Sequence, residues 1–340
     1  MGKALKIILF TVFLTSMQCS KVDNPSVLTK NDFAIYLLQN PDTKIEDILT
    51  KELADQDSAA LSKIEIQKLP WLTNNDIDFY DFSCHIAYLK QDKYHFFPPL
   101  ENKLFPISWW DKPFMVIADG QRRYVGLFKG SISSGVDWPL PKIDDEQNLI
   151  SNSNDLLFIS WAWFYNGTLN DSRQDIEVKK ALGKANILHN GITLKLKKII
   201  FDNNADTASV EYTYTILNLD QENLYVIDPD KMGPGLFHYY NNGPVFQNVD
   251  EPNLRESTLK KVIAPQSNDF WSRDWFTKIY SGDSITRTVN LKGYPFFPSG
   301  IYYCELSFQC VKQIPKSQRT LSDGRYWLGP TKSNVLTLQY

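Results

Sequence analysis

A two-residue alternation that begins near Ile192 restricts this fold more than any other feature of the chain. Thr193 to Phe201 alternates apolar with polar residues, and the turn cluster Asp202 to Thr207 follows. Ser209 to Asn218 then alternates again, with Val210, Tyr212, Tyr214 and Ile216 on one face. Successive strand side chains point to opposite faces, so the pattern specifies half-buried strands. Lys195, Lys197 and Lys198 fall on the solvated side. Further strands are predicted at Leu224–Ile227, Ile285–Leu291, Ile301–Val311 and Val335–Leu338, with Pro and Gly in the connections. No helical signal is read beyond Ile192. The expectation for 192–340 is an antiparallel sandwich of about seven strands.

Residues 32–191 mix two periodicities and are expected to form an α+β domain. Phe33 to Leu38 is a short apolar run suited to a buried strand, whereas Ile45, Ile48, Leu49 and Leu53 recur at helical spacing through Ala54. Thr73-Asn-Asn-Asp76 is a helix-capping pattern, and His85 to Leu89 returns to strand. Phe114–Ala118 and Arg122–Phe128 flank Asp119-Gly120, a hairpin signal because both turn positions need positive φ. Leu156 to Trp163 reads as a buried strand, on which Trp161 and Trp163 pack the core. Ser172-x-x-Asp175 opens a helix that closes at Gly183. The polar span Leu140 to Asn154 is expected to be an exposed loop. With 340 residues, 43% of them apolar, the chain is long enough for two domains that each bury a core.

The N-terminus reads as a leader. Met1 to Lys6 is short and positive, Ile7 to Leu14 is apolar except for Thr11, and Thr15 to Gln18 leads to Cys19. Eight residues cannot cross a bilayer as a helix, so this is a signal h-region. It resembles a bacterial lipoprotein signal, although Ser16, Met17 and Gln18 depart from the usual residues before the cysteine. The resemblance implies that 1–18 are removed, that Cys19 is lipidated, and that 19–31 tether the fold to a membrane of the bacterial cell envelope. Cys84, Cys304 and Cys310 remain. Six residues along a straight strand separate Cys304 from Cys310 by ~20 Å, too far for a disulfide, so both are expected to be buried thiols. A bridge from Cys84 to one of them stays open at this point.

Ser281-Gly-Asp-Ser284, Pro298-Ser-Gly-Ile-Tyr-Tyr303 and Ser333-Asn-Val-Leu-Thr337 resemble segments of immunoglobulin-like β-sandwich modules of secreted bacterial proteins. That resemblance implies a fold and no ligand. Phe33–Leu38, Asp76–Asp81 with His85, and Asp228-Pro-Asp-Lys-Met-Gly233 through Phe237-His-Tyr239 resemble segments of bacterial lipoproteins that have no assigned activity. It supplies no catalytic residues.

Several chemistries are excluded. A net charge of −3 leaves no basic footprint for nucleic acid. No His is followed by Glu, and there is no Gly-x-Ser-x-Gly and no Cys-x-x-Cys. Gly233-Pro-Gly235 lacks the third glycine of a phosphate loop, so no cofactor is predicted. Asp202-x-Asn204-x-Asp206 opens like a calcium loop, but Thr207 and Thr213 stand where Gly and Glu are required, which leaves a hairpin turn and no metal. His238 is a candidate general base with Asp228 or Asp230 as its orienting carboxylate. Against that stands a reading in which Asp228-Pro-Asp230 is a turn and His238 lies in a strand.

The aromatic residues offer a binding chemistry. Trp109 and Trp110 precede Asp111, and Trp271 and Trp275 flank Arg273 and Asp274. Indole faces stack on sugar C–H surfaces or partner side chains while carboxylates accept hydroxyl hydrogens. The sequence therefore predicts a lipid-anchored envelope protein that acts without catalysis, either by binding a glycan or another envelope protein or as a part of an envelope assembly. The alternative is a hydrolase acting on envelope or extracellular glycans through two facing carboxylates.

Overall fold

The computed structural model describes residues 33–96, 109–130, 139–144, 154–161, 171–204, 207–241, 243–250, 255–256, 270–311 and 314–340. The leader, Cys19, the tether and Trp163 lie outside the described residues. The chain is β-rich and built from several sheets.

In the first half the strands are β1 Phe33–Leu37, β2 Leu72–Thr73, β3 Ile77–Asp81, β4 Ile86–Leu89 and β5 Pro113–Ala118. They continue with β6 Gln121–Lys129, β7 Pro141–Asp144, β8 Leu156–Phe158, β9 Ser160–Trp161 and β10 Leu188–His189. One sheet runs β2-β1-β5-β6-β7-β9 and a second runs β10-β3-β4-β8. The β5–β6 hairpin turns at Asp119 (φ 52°) and Gly120 (φ 73°), the geometry expected of that pair.

Alternation explains how these sheets stack. Phe33 and Ile35 of β1 with Phe114 and Val116 of β5 pack against Tyr80, Ala87 and Leu157 of the second sheet. Ala34, Tyr36, Met115 and Ile117, on the opposite face, pack against Ile45, Leu53 and Leu61 of three short helices. Both faces are thus covered, which is why β1 and β5 read as unbroken apolar runs. In the second sheet Ala87 joins that first core, whereas Ile86, Tyr88 and Phe158 join a core made mostly by the second half of the chain.

That second half contains β11 Ile192–Asn204, β12 Thr207–Asn218, β13 Leu224–Ile227, β14 Pro244–Asn248, β15 Arg255–Glu256 and β16 Phe276–Ile279. It ends with β17 Ser284–Pro295, β18 Ile301–Phe308, β19 Thr320–Leu321, β20 Gly324–Tyr326, β21 Thr331–Lys332 and β22 Leu336–Gln339. They form three sheets: β11-β12-β17, β16-β13-β20-β19, and one containing β15-β14-β18-β21 with β22 beside β18. The inward residues of β12, Val210, Tyr212, Tyr214 and Ile216, are fully buried as the alternation requires. β11 and β12 pair antiparallel down to Asn204 opposite Thr207, a hairpin as expected.

Several expectations change. The described strands from Ile192 onward outnumber seven, and β13 pairs with β20 in parallel. Helices occur there too, at Pro229–Met232, Pro234–Asn241 and Lys316–Arg319. The segment Ile45–Ala54 is two helices, Ile45–Ile48 and Lys51–Ala54, because Thr50 turns extended and caps the Leu53 N–H. The helix expected from Ser172 begins at Ile176: Ser172–Gln174 is a 3₁₀ turn, and Asp175 is the residue that caps Glu177 and Val178. Leu140 and Ile143, placed in an exposed loop, are buried beside β6. Strand β18 ends at Phe308, so Cys310 lies beyond it; Cys84, Cys304 and Cys310 are all buried free thiols.

Candidate functional site

A concave site lies where β1 runs out and β5 begins. After Leu37 the chain turns through Asn40, Pro41 and Thr43, while Gln67 returns alongside by donating its N–H to the Leu37 carbonyl at 2.9 Å. Across from them Trp109 to Lys112 makes a tight turn, with the Lys112 N–H donating to the Trp109 carbonyl at 3.0 Å and Asp111 at φ 60°. Two strand bonds fix that turn: Asp111 donates to the Phe128 carbonyl at 2.7 Å and Phe128 to the Lys112 carbonyl at 2.9 Å. The Lys44 ammonium donates to the Trp110 carbonyl from behind.

These elements enclose about 180 Å³. Leu37, Leu38, Pro41, Pro113, Trp109 and Phe128 form its apolar wall. Trp109 is half-buried and held edge-on by Phe128 and Trp71, with ring centroids 5.1 and 6.4 Å away. Polar groups come from Asn40, Thr43, Gln67 and Lys112. The Asn40 side-chain oxygen accepts from the Asp42 N–H at 3.0 Å, which leaves its amide hydrogens to donate elsewhere.

The second site lies between the halves. A cleft of about 110 Å³ is lined by Asp78, Phe79, Tyr88, Leu89 and Asp155 from one half and by Lys316, Arg319, Thr320, Arg325 and Tyr326 from the other. Two buried ion pairs flank it. Arg319 donates to Asp155 at 2.8 Å. Arg325, 3% exposed, donates to Asp81 at 2.9 Å, Asp220 at 2.7 Å and Glu222 at 2.6 Å. His189 joins this group, with Nδ1 2.9 Å from Asp220 and 3.3 Å from Glu222. Gly191, at φ 66°, permits the close approach, since a Cβ there would stand 2.3 Å from the Asp81 oxygen.

Burial opposes charge on His189, but its hydrogen bonds to Asp220 and Glu222 win and hold its pKa up at about 9. Burial also works against the Asp220 carboxylate, and His189 and Arg325 together keep it below its usual value. Atoms of His189, Asp220 and Glu222 that could ligate a metal all lie within 4.8 Å of one another. Arg325 already donates to both carboxylates, and a metal would have to displace the His189 proton. Two cations, Arg325 and His189, already face the three carboxylates Asp81, Asp220 and Glu222, and we read the group as a structural junction.

The sequence-selected residues scatter. Trp110 is half-buried under Gly130, where a Cβ would come within 2.2 Å of the indole. Trp271 packs on Phe276 and Tyr326, and Trp275 is buried, so it offers no free stacking face. Asp228 caps the helix Pro229–Met232 and binds Arg287 and Thr277, which hold its carboxyl low against the cost of burial. Asp230 is exposed and lies 2.9 Å from Arg287. His238 sits in the helix Pro234–Asn241, not in a strand, and burial alone pushes its pKa down to about 4. Its neighbours are Tyr294 and Gly243, and no ion pair joins it to Asp228 or Asp230 among the described residues. Sequence reasoning missed Arg325, Asp81, Asp220 and Glu222. Their partners lie up to 244 residues apart, so no local spacing marks them.

No family model matches the chain, and no curated protein matches it. Among solved structures, a Northeast Structural Genomics Consortium target overlaps 45% of this chain and 88% of its own, at 12% identity and a TM-score of 0.25. Two structures of β-glucosidase from Kluyveromyces marxianus, one of them in complex with glucose, each overlap 44% of this chain and 14% of theirs. Their identities are 10% and 11%, with TM-scores of 0.17 and 0.16. At such scores the overlaps carry no argument about this protein.

Proposed function

We propose that this chain is a lipid-anchored protein of the bacterial cell envelope that binds a glycan, without catalysis, in the Trp109 pocket. The observation that carries the reading is the combination of an indole wall with three neutral hydrogen-bonding side chains, Asn40, Thr43 and Gln67, around about 180 Å³. An apolar cavity of ~150 Å³ holds one six-membered ring, so this space suits one sugar unit at a time. Sugars offer C–H faces to an indole and hydroxyls to amides and hydroxyls. No described lining residue is a carboxylate, which favours binding over hydrolysis by paired acids.

In the same reading, 32–191 is an α+β binding domain and 192–340 an immunoglobulin-like sandwich that supports it, moored through Cys19. Among the described residues no helix is long and apolar enough to cross a membrane. Metabolic labelling with palmitate checks the anchor: wild type takes up label and Cys19→Ala does not, whereas undiminished label in the mutant removes the anchor.

Screening the mature protein on a glycan array tests the function. Binding is expected, with a tenfold or greater loss of affinity in both Trp109→Ala and Gln67→Ala. An array with no hits, or hits indifferent to both substitutions, rejects the pocket as a glycan site.

A further inference from the structure

We propose that the sugar unit entering the Trp109 pocket is acidic, a pyranose carrying a carboxylate of the uronic acid class. This deepens the glycan reading and rests on it. The described lining residues include one cation, Lys112, and no acid. Among the described residues the Lys112 ammonium has neither an ion pair nor a hydrogen bond, although it is only partly exposed. Other partly buried cations among the described residues do meet an acid: Arg123 meets Asp175, Arg173 meets Asp171 and Arg287 meets Asp228. A lysine left uncompensated at the wall of a concave site offers a compact point charge with three donors.

The remaining polar groups fit the rest of such a ring. Asn40 has its oxygen occupied by the Asp42 N–H, so toward a ligand it acts as a donor. Thr43 and Gln67 can each donate or accept, as ring hydroxyls require. Asp42 and Asp111 are chain neighbours of lining residues but do not line the pocket. The cavity therefore presents an aromatic wall, donors in excess of acceptors, and one positive charge. A neutral hexose leaves Lys112 unmatched, and a cationic amino sugar is repelled by it. The carboxylate of a uronic acid supplies the missing partner, and the charge-assisted bond is roughly twice as strong as a neutral one.

Calorimetric titration of the mature protein with glucuronate, galacturonate and mannuronate, each beside its neutral parent glucose, galactose or mannose, tests this. At least one uronate is expected to bind tenfold or more tightly than its parent. That preference should shrink as salt rises and vanish in Lys112→Gln, whose unchanged melting temperature would show that the fold is intact. Equal binding of acid and parent, or a preference that survives Lys112→Gln, overturns the acidic class and leaves the glycan reading standing. If no sugar of either kind binds, both readings fall. If a peptide α-carboxylate competes with the uronate and outbinds it, the pocket is a carboxylate-terminus site and the sugar is overturned.

Discussion

At His189 a single imidazole shows how surroundings set chemistry. Two carboxylates hold its proton, so its pKa in the folded chain is about 9 against an ordinary 6.5. A raised pKa stabilises the fold fully below about 6.5, and that stabilisation is lost as pH rises through about 9. The shift corresponds to at most about 3 kcal/mol at neutral pH. Lys93 works the other way, because burial depresses its amine from 10.5 to about 8 and stability recovers as it discharges across that window. The readout is therefore the difference between wild type and His189→Gln. We expect melting temperatures of the two proteins to differ most near pH 6–7 and to converge above pH 9–10; curves that stay parallel would contradict the assignment. None of this is legible in sequence, where His189 is one of four scattered histidines and Asp220 lies 31 residues on.

At the scale of elements, local signals decided starts and turns, and misled where two signals compete. Thr73–Asp76 makes the capping pattern it spells, with the Thr73 N–H donating to Asp76 at 2.8 Å, yet only a 3₁₀ turn follows before β3. Asp228-Pro229 spells a helix start as well as a turn, and the structure takes the helix. Its cap is also an ion-pair partner: Asp228 accepts from Arg287 at 2.6 and 2.8 Å and from Thr277 at 2.5 Å. We predict that Asp228→Ala lowers stability by roughly 1–3 kcal/mol, since it removes a cap and the buried partner of the partly exposed Arg287, which keeps only the exposed Asp230. Asp230→Ala should cost well under 1 kcal/mol, because that carboxylate is exposed. Urea unfolding of both variants checks the contrast, and equal losses would mean that Asp228 does no more than its exposed neighbour.

The whole molecule is a stack in which neighbouring layers share cores. Ile86, Tyr88 and Phe158 of the first half lie in one cluster with Val210, Tyr214 and Trp327 of the second, and Arg325 and Arg319 bridge the same boundary. We therefore predict one cooperative unfolding transition by calorimetry, and a loss of about 3–5 kcal/mol in Arg325→Gln, which leaves Asp81 and Asp220 buried without their cation. Two separated transitions in wild type would mean that the halves fold independently. By itself the sequence determined the long alternating strands, because alternation follows from the geometry of an extended backbone, and the Asp119-Gly120 hairpin, because positive φ selects those residues. It also selected Trp109 by residue type. Tertiary structure alone decided which tryptophan borders a cavity, which carboxylates meet Arg325 and His189, and that Lys112 borders a site with no acid among its described lining residues. Those depend on chain segments brought together from far apart in sequence, and no local pattern encodes such a meeting.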